Sequence, residues 1–169
     1  MEEIKVNWNY EYKELDYDFI STYQVNPSFS SYTHEQYKSF IGNDAYFLPK
    51  PMPSFIETIL NNDPFDYYEI KSPGFHRIRP GMGLPLHVDE YKKFRELHNI
   101  KNVDDVRRYI IFLESSKPGH IAQIGDKIYN DWKAGNYISW EGPTEHAALN
   151  LGTSNRYTLQ ITCLRHTTY

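Results

Sequence analysis

Phe75-His76-Arg77-Ile78-Arg79-Pro80-Gly81-Met82-Gly83-Leu84-Pro85-Leu86-His87-Val88-Asp89 is the stretch on which the fold turns. It reads as a strand over 75–79, a Pro-Gly turn at 80–81 and a second strand over 84–88. That second strand delivers His87 and Asp89. Positions i and i+2 of a strand face the same side, so an imidazole and a carboxylate can be presented to one point.

Outward from there the texture repeats. Further short alternating runs at 67–71, 106–114, 121–124, 127–129, 136–140, 146–149 and 156–164 read as strands. The connectors are Pro-Gly at 73–74 and 118–119, Gly-Asp at 125–126, Gly-Asn at 135–136 and Gly-Pro at 142–143. Gly125-Asp126 signals a two-residue hairpin. Short strands at this spacing predict a mainly β chain, a sandwich or jelly roll rather than a βαβ sheet. The charged stretch between Tyr91 and Asp105 is expected to hold a helix, with the run Tyr91 to Glu96 as a solvated face that could form part of a lid over a site.

Residues 1–65 have another character, polar, rich in Tyr and Asn, and broken by Pro27, Pro49, Pro51, Pro53 and Pro64. Thr33 with Gln36 predicts a capped helix to about Ile41 with Gly42 as its stop, and Ser54 with Glu57 predicts another through Leu60. The expectation is one domain over 1–169, with a partly helical extension (1–65) packing on a jelly-roll core (66–169).

Composition excludes several classes. With 40% hydrophobic and 24% charged residues in 169, the chain is an ordinary folded protein, unusual only in its 15 Tyr. A net charge of −4 gives no general attraction for a polyanion, so no nucleic-acid partner is expected. Cys163 stands alone, which excludes a disulfide framework and a multi-cysteine zinc site. The start, Met1-Glu2-Glu3, shows no secretory signal, and the longest apolar run, 109–113, is far short of a membrane span. A cytoplasmic protein without membrane association is expected.

The chemistry rests on a set rather than a motif, because His-x-Asp alone is common by chance and each histidine alone is more often structural. His146, arriving from a distant strand, would complete a two-histidine, one-carboxylate face with His87 and Asp89. That ligand set suits a non-haem Fe(II) centre with open positions opposite. Arg156 follows ten residues after His146, beyond the turn-like 150–155, which predicts that the two lie opposite each other on adjacent antiparallel strands. An Arg so placed can hold a carboxylate bidentately at a fixed distance from a metal.

The stretch from Arg77 to Asp89 resembles the approach to the first metal ligands of 2-oxoglutarate/Fe(II) dioxygenases, in particular the aspartyl/asparaginyl β-hydroxylase-like family, which includes bacterial free-proline hydroxylases. Asp131-Trp132-Lys133-Ala134-Gly135-Asn136, the strand to Trp140, Glu145-His146, Asn150 and Arg156 continue the resemblance, which spans roughly 70–164. It implies a double-stranded β-helix (jelly roll, cupin-like) with Fe(II) on His87, Asp89 and His146. It implies that 2-oxoglutarate chelates the metal while its far carboxylate pairs with Arg156, and that O2 drives its decarboxylation to succinate with hydroxylation of a C–H bond. Arg108 matches an arginine that turns into the barrel toward 2-oxoglutarate, with Ile110 standing where a relative carries histidine. The implied substrate is an amino-acid-like small molecule or a protein side chain, with Arg77, Arg79, Arg95 and Arg165 as unassigned partners for it. His76 reads as a structural or surface residue that could line the pocket, and Trp132 and Trp140 as packing. A cupin-type metal enzyme that does not use 2-oxoglutarate and a non-catalytic jelly-roll module are the competing readings.

Overall fold

Beyond residue 70 the short apolar runs bracketed by Gly/Pro turns form strands that pass back and forth between two sheets, save at the 125–126 hairpin, whose two strands share one. The structure, a computed structural model, describes residues 1–164, so Arg165 lies outside the described residues. In chain order the elements are β1 (Glu2–Glu3), β2 (Asp18–Ile20), α1 (Thr22–Val25), α2 (Glu35–Phe40), β3 (Asn43–Phe47) and α3 (Phe55–Leu60). These are followed by β4 (Lys71–Ile78), β5 (Met82–His87), α4 (Lys92–Leu97), β6 (Val106–Phe112), β7 (His120–Ile124), β8 (Lys127–Tyr129), β9 (Asn136–Glu141), β10 (His146–Asn150) and β11 (Arg156–Leu164). Short 3-10 turns occupy Tyr10–Lys13, Pro27–Ser31 and Val103–Asp105.

The larger sheet runs β1-β9-β6-β11-β4-β3-β2 and the smaller runs β5-β10-β7-β8. Strands β4 to β11 thus form the two four-stranded halves of a double-stranded β-helix, all neighbours antiparallel. The predicted hairpin is present, with Ile124 opposite Lys127 across Gly125-Asp126.

Several local expectations are corrected. Pro73-Gly74 is no connector. Both lie inside β4, where the β3 ladder ends at Gly74 and leaves Pro73 on a stretch with one open side, a setting that tolerates a missing N–H. Of 67–71 only Lys71 is strand. The cap of α2 is His34, whose Nδ1 accepts from the Gln36 N–H, rather than Thr33, and Ser54 begins α3 without a side-chain cap bond. His146 and Arg156 are not on adjacent strands, because β10 and β11 belong to different sheets. The extension is not merely helical: β1 extends the larger sheet beyond β9, and β3 and β2 extend it beyond β4.

The alternation along β11 divides two environments. Leu159, Ile161 and Cys163 face outward into a core shared with Tyr12, Phe55, Ile59 and Phe65 of the extension. Each such fully buried side chain contributes about 1.5–3 kcal/mol. Arg156, Thr158, Gln160 and Thr162 face the other way, into the barrel. They share that face with Arg108, Ile110 and Phe112 of β6 and with His76 of β4, as the registers Thr162↔Arg108, Gln160↔Ile110, Thr158↔Phe112 and Thr158↔His76 require. The interior is therefore apolar only in part, where Phe112, Trp132, Ile138 and Trp140 cluster.

Candidate metal centre

β5 ends at His87, the next residues reach Asp89, and β10 begins at His146, its Cα partner across the ladder. One ligand atom from each of the three lies within 4.8 Å of the others. His87 Nε2 is 3.7 Å from Asp89 Oδ1 and His146 Nε2 is 3.5 Å from Asp89 Oδ2.

The tautomers follow from the backbone. His87 Nδ1–H donates to the Pro85 carbonyl at 2.7 Å, and His146 Nδ1–H to the Thr144 carbonyl at 2.8 Å. A carbonyl only accepts, so Nδ1 carries a proton in both, and in the neutral rings that bind a metal each Nε2 turns a lone pair toward the carboxylate. Two lone pairs and a carboxylate converging in a largely buried site repel one another unless a cation lies among them. The donor set fits a divalent metal, held as histidine sites commonly are, by Nε2 with Nδ1 oriented from behind. Burial and then the neighbouring His146 push His87 down to about 4. Burial alone would raise the Asp89 carboxyl, but the contact with His146 and the Arg108 charge hold it well below the ordinary carboxylate range. Both ligands are thus in the unprotonated form that a metal needs.

The rings are walled by aromatics. Phe29 packs on His87 at 4.8 Å between centroids, and Trp140 on His146 at 4.6 Å. Trp140 Nε1–H donates to the Tyr91 hydroxyl at 3.1 Å, and the Arg108 guanidinium lies over the Tyr91 ring at 4.7 Å. Tyr91 is held in the left-handed region at φ 52° as it starts α4. Beside Asp89 opens a cleft of about 500 Å³ lined by Val88, Glu90, Lys92, Arg95, Val103 and Pro143.

Arg108 and Arg156, the arginines expected on the co-substrate side, are both inside the barrel. Arg108 Nη2 donates to Asp89 Oδ2 at 3.2 Å, while its Nε and Nη1 are buried without a partner. Arg156 is 4% exposed and lies over the rings of Trp132 (5.4 Å) and Phe112 (5.7 Å). Its Nε has no partner among the described residues, and burial alone pushes the guanidinium down to about 10. A buried cation without a counter-charge is strongly disfavoured, so the chemistry of this wall fits a carboxylate-bearing ligand.

Of the substrate candidates, Arg77 and Arg79 do not point inward. Both pair with the buried Asp44, at 2.8 and 3.2 Å, and lie over Tyr17 and Phe19 on the outer face. Arg95 does line the cleft, with Nε and Nη2 donating to the Ile100 and Lys101 carbonyls. His76, read from the sequence as a structural or surface residue that could line the pocket, does face the interior, while Asn43, Phe29 and Tyr91 form the part of the surroundings that sequence reasoning missed. Only His76 carried a signal, its strand parity with Ile78.

No family model matches the chain, and no curated protein matches it. Among solved structures it is similar to the cupin domain of Schizosaccharomyces pombe Cnp3 (10% identity, TM-score 0.43, covering 72% of this chain and 64% of that one). It is also similar to a predicted oxalate decarboxylase from Thermotoga maritima (12%, 0.42, 73% and 81%). A Klebsiella pneumoniae protein with a double-stranded β-helix domain is a third (14%, 0.40, 56% and 67%). These likenesses are too distant to carry function, and the jelly-roll assignment rests on the strand topology. No helix among the described residues is long and apolar enough to cross a membrane.

Proposed function

We propose that this chain is an Fe(II)- and 2-oxoglutarate-dependent oxygenase. It would hydroxylate a C–H bond of an amino-acid-like small molecule or of a protein side chain, with O2 and 2-oxoglutarate consumed and succinate and CO2 released. The observation that carries the reading is Arg156, a buried guanidinium without a counter-ion among the described residues, on the same barrel interior as His87, Asp89 and His146. When bound, the iron and 2-oxoglutarate supply the oxidising chemistry.

The chain's own residues bind, orient and exclude water. His87, Asp89 and His146 hold the metal, with the two imidazoles oriented by Pro85 and Thr144. Arg156 anchors the far carboxylate of the co-substrate. Arg108 braces Asp89 and keeps two further N–H donors toward the cavity. Phe29 and Trp140 keep the ligand rings dry and fixed.

Anaerobic titration with Fe(II) or Mn(II), followed by 2-oxoglutarate, tests the reading. One metal per chain is expected, lost in His87→Ala. Arg156→Ala should retain the metal and raise the 2-oxoglutarate requirement at least about tenfold, the loss of a charge-assisted contact. Metal binding without 2-oxoglutarate binding at millimolar concentration would favour a cupin-type metal enzyme of other chemistry. Binding of neither would leave a non-catalytic module. Amino acids screened with a succinate readout then identify the substrate.

A further inference from the structure

His76 is the interior histidine that the metal triad leaves out. It projects from β4 into the barrel, in register with Thr158 of β11 and one diagonal step from Arg156. Its Nδ1 lies 2.6 Å from Asn43 Nδ2, and Phe47 meets its ring edge-on at 5.1 Å. Asn43 Nδ2 also lies 3.3 Å from the Asp44 carbonyl, where only an N–H can serve. The amide nitrogen is therefore the donor in both contacts, and His76 accepts at Nδ1. The ring proton is then on Nε2.

That Nε2 is buried and has no hydrogen-bond partner among the described residues. Burial, with the nearby Arg108 charge, pushes the ring down to about 3, so it is a neutral donor. Arg108 and Arg156 bring buried, unpartnered nitrogens of their own to the same interior face. Three sets of N–H groups on one interior face, unpartnered among the described residues, fit an acceptor-rich ligand. Asn43 belongs to β3, so the orientation of His76 is set from the N-terminal extension.

We propose that His76, its ring fixed by Asn43, donates a hydrogen bond from Nε2 to the anionic ligand anchored on Arg156. The N-terminal extension thereby completes the co-substrate cavity. The proposal rests on the reading above that this ligand is 2-oxoglutarate. His76 touches the ligand, and Asn43 is a positioning residue that acts through it.

The test is calorimetric titration of the full chain loaded with Mn(II), using 2-oxoglutarate as the probe, with Mn(II) affinity measured in parallel. His76→Leu should weaken 2-oxoglutarate about 10- to 100-fold and leave Mn(II) within about twofold. His76→Gln, which keeps an amide N–H at that position, should recover most of the loss. Nitrogen-15 NMR of the wild-type ring should show the Nε2–H tautomer, with the Nε2 proton shifting on addition of 2-oxoglutarate. Asn43→Leu should lose the single tautomer and weaken 2-oxoglutarate without moving Mn(II). Unchanged 2-oxoglutarate affinity in His76→Leu, or an Nδ1–H ring in the wild type, would overturn the proposal. The NMR result decides even if the leucine variant does not fold. Wild-type protein that binds Mn(II) but no 2-oxoglutarate overturns the parent reading instead, and this one with it.

Discussion

His87 and His76 owe their neutral state to burial, and that has a consequence for stability. Each has a folded pKa below the ordinary 6.5, at about 4 and about 3. Between those values and 6.5 the unfolded chain binds protons that the folded chain refuses. Stability is therefore complete above about pH 6.5 and is lost as pH falls toward 4 and then 3. Asp89, also depressed, adds loss in the same direction at the acid end. The urea midpoint of metal-free protein should fall steadily from pH 7 to 4, and more gently in His76→Leu. A flat wild-type profile would contradict this. At this scale the sequence was most legible where a residue is chemically out of place in or just beyond a strand, as His87, His146 and Arg156 are within theirs and Asp89 is past the end of β5. It was least legible where parity decides. A slip of one position exchanges the faces of a strand, and Arg77 and Arg79 proved to be on the outer one while His76 faces in. Nothing in Tyr91 as a residue type announces its left-handed backbone or its place over Arg108.

Among the elements, the segment from Asn26 to Tyr32 is tied most directly to the site. β5 is an edge strand of the smaller sheet, and this segment covers it. Asn26 Nδ2 and Ser28 Oγ donate to the Val88 carbonyl at 3.1 Å, Ser28 Oγ accepts from the Val88 N–H at 3.3 Å, and Tyr32 donates to the Leu86 carbonyl at 3.1 Å. The residues on either side of His87 are thus held from outside while Phe29 packs on its ring. Phe29→Ala should cost about 3–5 kcal/mol in denaturant unfolding and should also weaken Mn(II) binding. Loss of stability with unchanged metal affinity would show that the segment only packs. The strands after residue 70 were legible because turn chemistry brackets each of them. Their pairing was less so: a turn between two strands suggests a hairpin, yet β10 and β11 belong to different sheets, which separates His146 from Arg156.

Over the whole molecule, the extension was the least readable part, since its strands β1, β2 and β3 are only two, three and five residues long. Such pieces have no period of their own and form because an existing sheet edge receives them. The core outside the larger sheet depends on them too, through Tyr12, Phe55, Ile59 and Phe65. The division of labour between the sheets has one more consequence. His87 and His146 stand on the smaller sheet, whereas Arg156, Arg108 and His76 stand on the larger. On the proposed reading, a ligand joining the two groups spans the gap between the sheets, and the barrel acts as a caliper. Its jaws are set by side chains that fill the interior, such as Phe112 and Trp132, stacked at 4.1 Å. Phe112→Leu should therefore shift the preference among 2-oxo diacids one carbon shorter or longer than 2-oxoglutarate, measured as relative affinities. An unchanged ranking would mean that the gap is set elsewhere. Chain-length selectivity would then be written not in the residues that grip the acid but in the packing that holds the grips apart.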